Sequence, residues 1–155
     1  TGKTWFDHEW ATNQLAANQT GWDWFSLQLE DGSDLMLFQI RTKEGGRDPY
    51  SSGTFVSQSG ESQKIRLSDF DLAPVDWWTS PHTKAKYPIA WKISIPNMEL
   101  TVRARFQDQE LASQPFSYWE GAVSAEGTCH GQPVKGKGYL EMTGYSGRIV
   151  GMQAE

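Results

Sequence analysis

The sequence has a single cysteine, Cys129 in TCHGQP (128–133), so no internal disulfide can form. No Cys/His spacing suggests structural zinc. No apolar stretch approaches the roughly 18 residues that a membrane-spanning helix needs. Basic residues are outnumbered, with 14 Lys plus Arg against 19 Asp plus Glu and a formal net charge of −5. Recognition of a phosphate backbone needs a basic face, so nucleic acid is excluded as the main partner. Like charges never cluster into a tail or a polybasic patch. There is no G-x-S-x-G elbow, no P-loop and no dinucleotide fingerprint, and nothing in the chain calls for a cofactor. GKGYLEMTGY (136–145) offers only G-x-G, where Gly136 and Gly138 read as easing a strand bend or bulge. No segment keeps a 3.6-residue apolar period for three turns, so helices are at most short.

What the chain has is aromatic. It carries eight Trp, seven Phe and five Tyr in 155 residues, a length that fits one domain. Short runs rich in aromatic and β-branched residues lie at 4–10, 21–29, 34–41, 53–57, 63–67, 89–95, 99–106, 117–125 and 136–144. Turn chemistry separates them, with Asp31-Gly32 and Pro96-Asn97 marking two hairpins. LSDFDLAPVDWWTSP (67–81) is the least regular piece and reads as a long surface connection, or as a loop over a barrel mouth. The expected fold is all-β: an antiparallel barrel or curled sandwich of about nine strands, which can hold one small ligand.

Acids recur inside these strand-like runs, in WFDHEW (5–10), GWDWF (21–25), YWEGAV (118–123) and YLEMTGY (139–145). Carboxylates are rarely buried without partners, so placed acids among aromatics mark a pocket. Side chains alternate along a strand. Trp22 and Trp24 therefore share one face and Asp23 and Phe25 the other, while Tyr118 pairs with Glu120 and Tyr139 with Glu141. A hairpin folded around TCHGQP puts Glu120 across from Glu141, where like charges need a bridging cation or a shared proton. Arg41, Arg103, Arg105 and Arg148 are the candidate bridges. His8, flanked by carboxylates, is the histidine best placed for proton transfer, whereas His82 and His130 read as surface residues. Asp7, His8 and Glu9 cannot converge on one metal ion from one extended strand.

In order along the chain, DHEW (7–10), GWDWF, LQLEDGSDLML (27–37), DQEL (108–111), YWEGAV and GYLEMTGY resemble the AttH-type lipocalin-like family. That family includes carotenoid 1,2-hydratase relatives and proteins labelled predicted secreted hydrolases. The resemblance implies a lipocalin-like domain, residues 1–155, that is the C-terminal half of a longer protein with an N-terminal sister domain. It also implies export to the periplasm or medium. From the hydratase relatives it implies roles for Asp7, His8 and Trp10 in adding water to an isolated C=C bond. Glu9 and Ala11 depart from the hydratase pattern. Asp7, His8 and Trp10, with Glu120 and Glu141, form the expected catalytic set; Trp22, Trp24, Tyr118, Trp119 and Tyr139 form the expected aromatic lining. The leading functional expectation is binding of an apolar small molecule such as a lipid or isoprenoid. The alternatives are a hydratase or hydrolase using carboxylate and histidine acid–base chemistry, and a packing domain for the sister half.

Overall fold

The structure, a computed structural model, describes residue 6, residues 15–112 and residues 117–147. Apart from Phe6, the run 4–10, with Asp7, His8 and Trp10, lies outside the described residues, as does Arg148. Ten strands follow in order: β1 (Gln19–Leu29), β2 (Asp34–Thr42), β3 (Ser52–Val56), β4 (Ser62–Arg66), β5 (Asp71–Thr79), β6 (Lys86–Ile95), β7 (Met98–Ala104), β8 (Glu110–Ala112), β9 (Ser117–Cys129) and β10 (Gln132–Met142). A 3₁₀ turn at Leu67–Asp69 is the one helical element among the described residues.

All ten strands belong to one antiparallel sheet, in the order β4-β3-β2-β1-β10-β9-β7-β6-β5, with β8 extending the β7 side of β9. Within this path each neighbouring pair is antiparallel, and most are joined by short turns, the exceptions being β1 with β10 and β7 with β9. The turns carry the residues their geometry requires. Asn97 at φ 64° follows Pro96, the arrangement of a type II turn. His130 and Gly131 both take positive φ (49° and 76°), as a two-residue type I′ hairpin demands. Asp31 closes the β1–β2 turn by accepting from both the N–H and hydroxyl of Ser33.

The sheet curls because one face is apolar. Phe25, Leu27, Leu35, Leu37, Ile93, Val102, Val123 and Leu140 alternate inward and are fully buried. Phe25 of β1 meets Trp91 of β6 edge to face at 5.5 Å, across the interior between strands far apart in the sheet. At the open seam the chain passes directly from β4 to β5. There Arg47, from the β2–β3 connection, donates to the Phe70 carbonyl (3.1 Å) and pairs with Asp71 (3.6 Å). β4 and β5 do not pair with each other among the described residues, so the result is a curled half-barrel.

The segment 67–81 differs from its expectation: most of it is strand β5. Its sequence hides this because β5 is an edge strand, where Pro74 removes no shared hydrogen bond and Asp76 sits in a bulge. Nor do Gly136 and Gly138 make a bend or bulge, since the register from Gln132 to Met142 runs unbroken against β9. They allow close approach: a Cβ on Gly138 would collide with the Ser26 carbonyl of β1. Gly138→Ala is therefore expected to destabilise the fold by about 1–3 kcal/mol, the usual size of an overpacking penalty. Urea unfolding followed by Trp fluorescence measures it, and an unchanged midpoint would mean that the β1–β10 spacing relaxes freely.

Candidate functional site

The three central strands bring most of the expected residues together. Glu120 on β9 lies directly across from Glu141 on β10, in the register anticipated, and Trp24 on β1 faces Glu141 from the other side. Trp22 donates its indole N–H to Glu141 Oε1 (2.9 Å). Tyr118 and Tyr139 flank the two acids. Burial pushes both phenols up, and the negative charges of Glu120 and Glu141 push them further. This group occupies the convex face, opposite the apolar core, and its members are half-buried except for the more exposed Tyr139. Trp119 alone of the expected lining points inward. It is fully buried, and its indole donates to the Gln107 carbonyl (2.7 Å).

The expected bridging cation goes elsewhere. Arg41, in phase with Leu35, Leu37 and Gln39 along β2, stands on the concave side, where its Nη1 lies 2.5 Å from Asp23 Oδ1. Arg103 and Arg105 are exposed and enter no ion pair among the described residues. Asp23 is completely buried and accepts two further hydrogen bonds, from Gln39 Nε2 (2.8 Å) and the Tyr145 hydroxyl (2.9 Å). Arg41 also donates to the Thr143 carbonyl and lies 4.1 Å from the centre of the Tyr145 ring. Gly21 makes room for this, because a Cβ there would strike both Thr143 and the guanidinium.

From Tyr145 the cluster continues across the mouth, the end where β1, β6 and β9 begin and β2, β5 and β10 finish. The Tyr145 ring lies 5.5 Å from that of Tyr87, which stacks on Trp78 at 6.2 Å. The Tyr87 hydroxyl donates to Glu110 Oε1 (2.8 Å), and Glu110 also accepts from Thr83 Oγ1 (2.5 Å) and Ser80 Oγ. Two phenols thus stand side by side in an aromatic row, each with its proton committed to a different carboxylate. Burial raises both phenols, reinforced by Glu110 for Tyr87 and Asp23 for Tyr145, so both stay protonated at neutral pH. Burial pushes the Glu110 carboxyl up, but the hydroxyls of Ser80, Thr83 and Tyr87, with His82 nearby, outweigh it and hold Glu110 below its usual range.

Sequence reasoning did not assemble this second cluster. The signal was present: alternation placed Asp23 on the core face with Phe25, and a carboxylate there must find a cation. Alternation likewise puts Arg41 on the core face with Leu35 and Leu37; what it does not give is the β1–β2 register that sets Arg41 beside Asp23. The groups the structure brings together contain no set of three or more His, Cys, Asp or Glu arranged for a metal ion among the described residues.

A family model described as AttH-like matches residues 1–145. Kievitone hydratase from Fusarium solani subsp. phaseoli is 24% identical over 144 residues, covering 90% of this chain and 40% of that protein. The dehydratase asqC from Emericella nidulans is 25% identical over 150 residues, covering 90% of this chain and 41% of that protein. A crystal structure of an AttH candidate from Nitrosomonas europaea superimposes with a TM-score of 0.75 at 38% identity, covering 83% of this chain and 40% of that one. The chain thus spans about two-fifths of the length of the relatives it matches.

Two outcomes follow from the mouth cluster. Arg41→Met leaves the Asp23 charge buried without its cation and is expected to cost about 3–5 kcal/mol, most of it regained in Arg41→Met/Asp23→Leu. Chemical denaturation of the three proteins decides this; equal losses in both variants would mean that packing, not charge, dominates. Glu110, lowered in the folded state, contributes stability that is present above its unfolded value and lost as pH falls through the folded one. The stability gap between wild type and Glu110→Gln should therefore be widest near neutrality and close below about pH 4. A gap that is constant with pH would contradict the assigned charge state.

Proposed function

The chain belongs to the AttH-like family, and on that footing we propose that it carries hydro-lyase chemistry, adding or removing water beside an apolar carbon chain, at the concave mouth. Two relatives named for hydration and dehydration support a water-handling enzyme over a simple binding module. The observation that carries the reading is the anchored tyrosine pair, Tyr87 on Glu110 and Tyr145 on Asp23. Protonating an alkene, or losing a hydroxyl as water, leaves a carbocation. Aromatic faces and nearby negative charge stabilise such a cation where bulk water is excluded. The row Trp78–Tyr87–Tyr145 supplies the faces, and Asp23 and Glu110 supply the charge behind them.

With its proton committed to Asp23, the Tyr145 oxygen offers a lone pair to the hydrogen of a water or substrate hydroxyl, while the fully buried Tyr87 backs it in the aromatic row. In hydration a proton adds to one alkene carbon, the positioned water attacks the other, and a base accepts the water's proton; dehydration is the reverse. Asp7 as proton donor, His8 as the base and Trp10 as a further aromatic face enter this scheme on the family resemblance. We place the sister domain on the convex face, against the half-buried Trp22, Trp24 and Tyr118 and the more exposed Tyr139, with Glu120 and Glu141 as proton-handling groups at that junction. The length of the relatives favours such a partner. The same aromatic row also suits an apolar ligand that is held and not transformed.

The test uses the full-length protein that contains this chain. Linear isoprenoid alkenes and the corresponding tertiary alcohols are incubated with it in ¹⁸O-labelled water and read by mass spectrometry. Incorporation of label is expected, with Tyr145→Phe and Asp23→Asn lowering kcat by about 10²–10⁴ while KM stays within a few-fold. Full turnover in both variants would move the chemistry away from the mouth. Saturable binding without label incorporation would favour the ligand carrier.

A further inference from the structure

At the end of the sheet away from the tyrosine pair, the β6–β7 and β9–β10 turns approach β3 and β4 across the open seam. They enclose a cleft of about 100 Å³. Its floor is apolar, made by Phe55, Ile65, Ile95 and Met98, with the buried Cys129 thiol among them. The rim is polar and carries two basic side chains, Lys64 from β4 and His130 from the β9–β10 turn. Neither is engaged in an ion pair among the described residues.

The acids close by keep their charge but are held in place by hydrogen bonds of their own, and neither pairs with Lys64. Asp69, on the same rim, accepts the Arg66 N–H (3.0 Å) and the Ser68 hydroxyl (2.9 Å). Asp31, which raises the Cys129 thiol after burial has done so, is held by Ser33. A chain with net charge −5 thus keeps two unpaired basic side chains beside one small apolar recess.

We propose that this cleft binds the carboxylate of a short-chain amphipathic acid, with Lys64 and His130 holding the head and Met98, Ile65, Ile95 and Phe55 the tail. A cavity of this size displaces roughly three waters, enough for a few methylenes and too small for a long lipid. Because the head sits on the exposed Lys64 ammonium beside the His130 imidazole, the contact is charge-assisted and weakened by salt. The site is separate from the tyrosine pair, so it stands or falls independently of the hydro-lyase reading.

The probes are hexanoate and hexan-1-ol, titrated into the full-length protein carrying ¹³C-methyl-labelled methionine and read at the Met98 methyl. Saturable shifts with hexanoate are expected, with a Kd on the order of millimolar, and weaker shifts with the alcohol. Lys64→Ala/His130→Asn should weaken hexanoate about tenfold, as loss of a charge-assisted contact does, and leave the alcohol unchanged. Asparagine tolerates the positive φ of position 130, so the turn survives the substitution. A silent Met98 methyl, equal affinity for acid and alcohol, or hexanoate binding untouched by the double substitution would each overturn the proposal.

Discussion

The ion pair between Asp23 and Arg41 is the constraint on which the mouth of this sheet depends. Asp23 has no exposure, and a carboxylate in that position is tolerable only because Arg41, Gln39 and Tyr145 satisfy it. Meeting that need pulls together parts of the chain more than a hundred residues apart. Arg41 comes from the end of β2, Tyr145 from beyond β10, and the Thr143 carbonyl locks against the same guanidinium. The glycines of GWDWF and TGY let the backbones come close enough for this: a Cβ on Gly21 would meet Thr143, and one on Gly144 would meet Thr20.

The same alternation gives the central sheet two chemically different faces. Trp22 and Asp23 are adjacent in sequence, yet one holds Glu141 on the convex side and the other holds Tyr145 on the concave side. Substitutions at neighbouring positions of GWDWF thus act on different clusters. Thr143 spans both. Its backbone N–H and side-chain hydroxyl pair with Trp22, while its carbonyl serves Arg41.

Most of the fold was legible because hairpin chemistry is local. Pro96-Asn97, His130-Gly131 and Asp31-Gly32 fix register within a few residues, and the facing of Glu120 and Glu141 followed from one of them. β5 was not legible. DLAPVDWWT contains a proline, two aspartates and neither clean alternation nor a clean apolar run, and its strand state comes from pairing with β6. In the convex cluster, alternation and one hairpin gave the facing of Glu120 and Glu141, but not the β1–β10 pairing that sets Trp22 and Trp24 beside them. The concave cluster could not be read, since Arg41, Tyr145, Tyr87 and Glu110 lie on four separate segments and only the curl of the sheet joins them. Which cation answers which carboxylate is a tertiary fact.

Among the described residues the open path leaves the outer edges of β4 and β5 unpaired, and edges invite a second chain to continue the ladder. β4 meets this with exposed Lys64 and Arg66, which would be forced against like charges in a stacked copy. β5 meets it with Pro74, which has no N–H to offer, and with the irregular register at Asp76. The features that disguised β5 in the sequence thus also deny a passing strand a continuous template. Charge on one edge and an irregular backbone on the other are the devices by which an unclosed sheet resists polymerising through its edges.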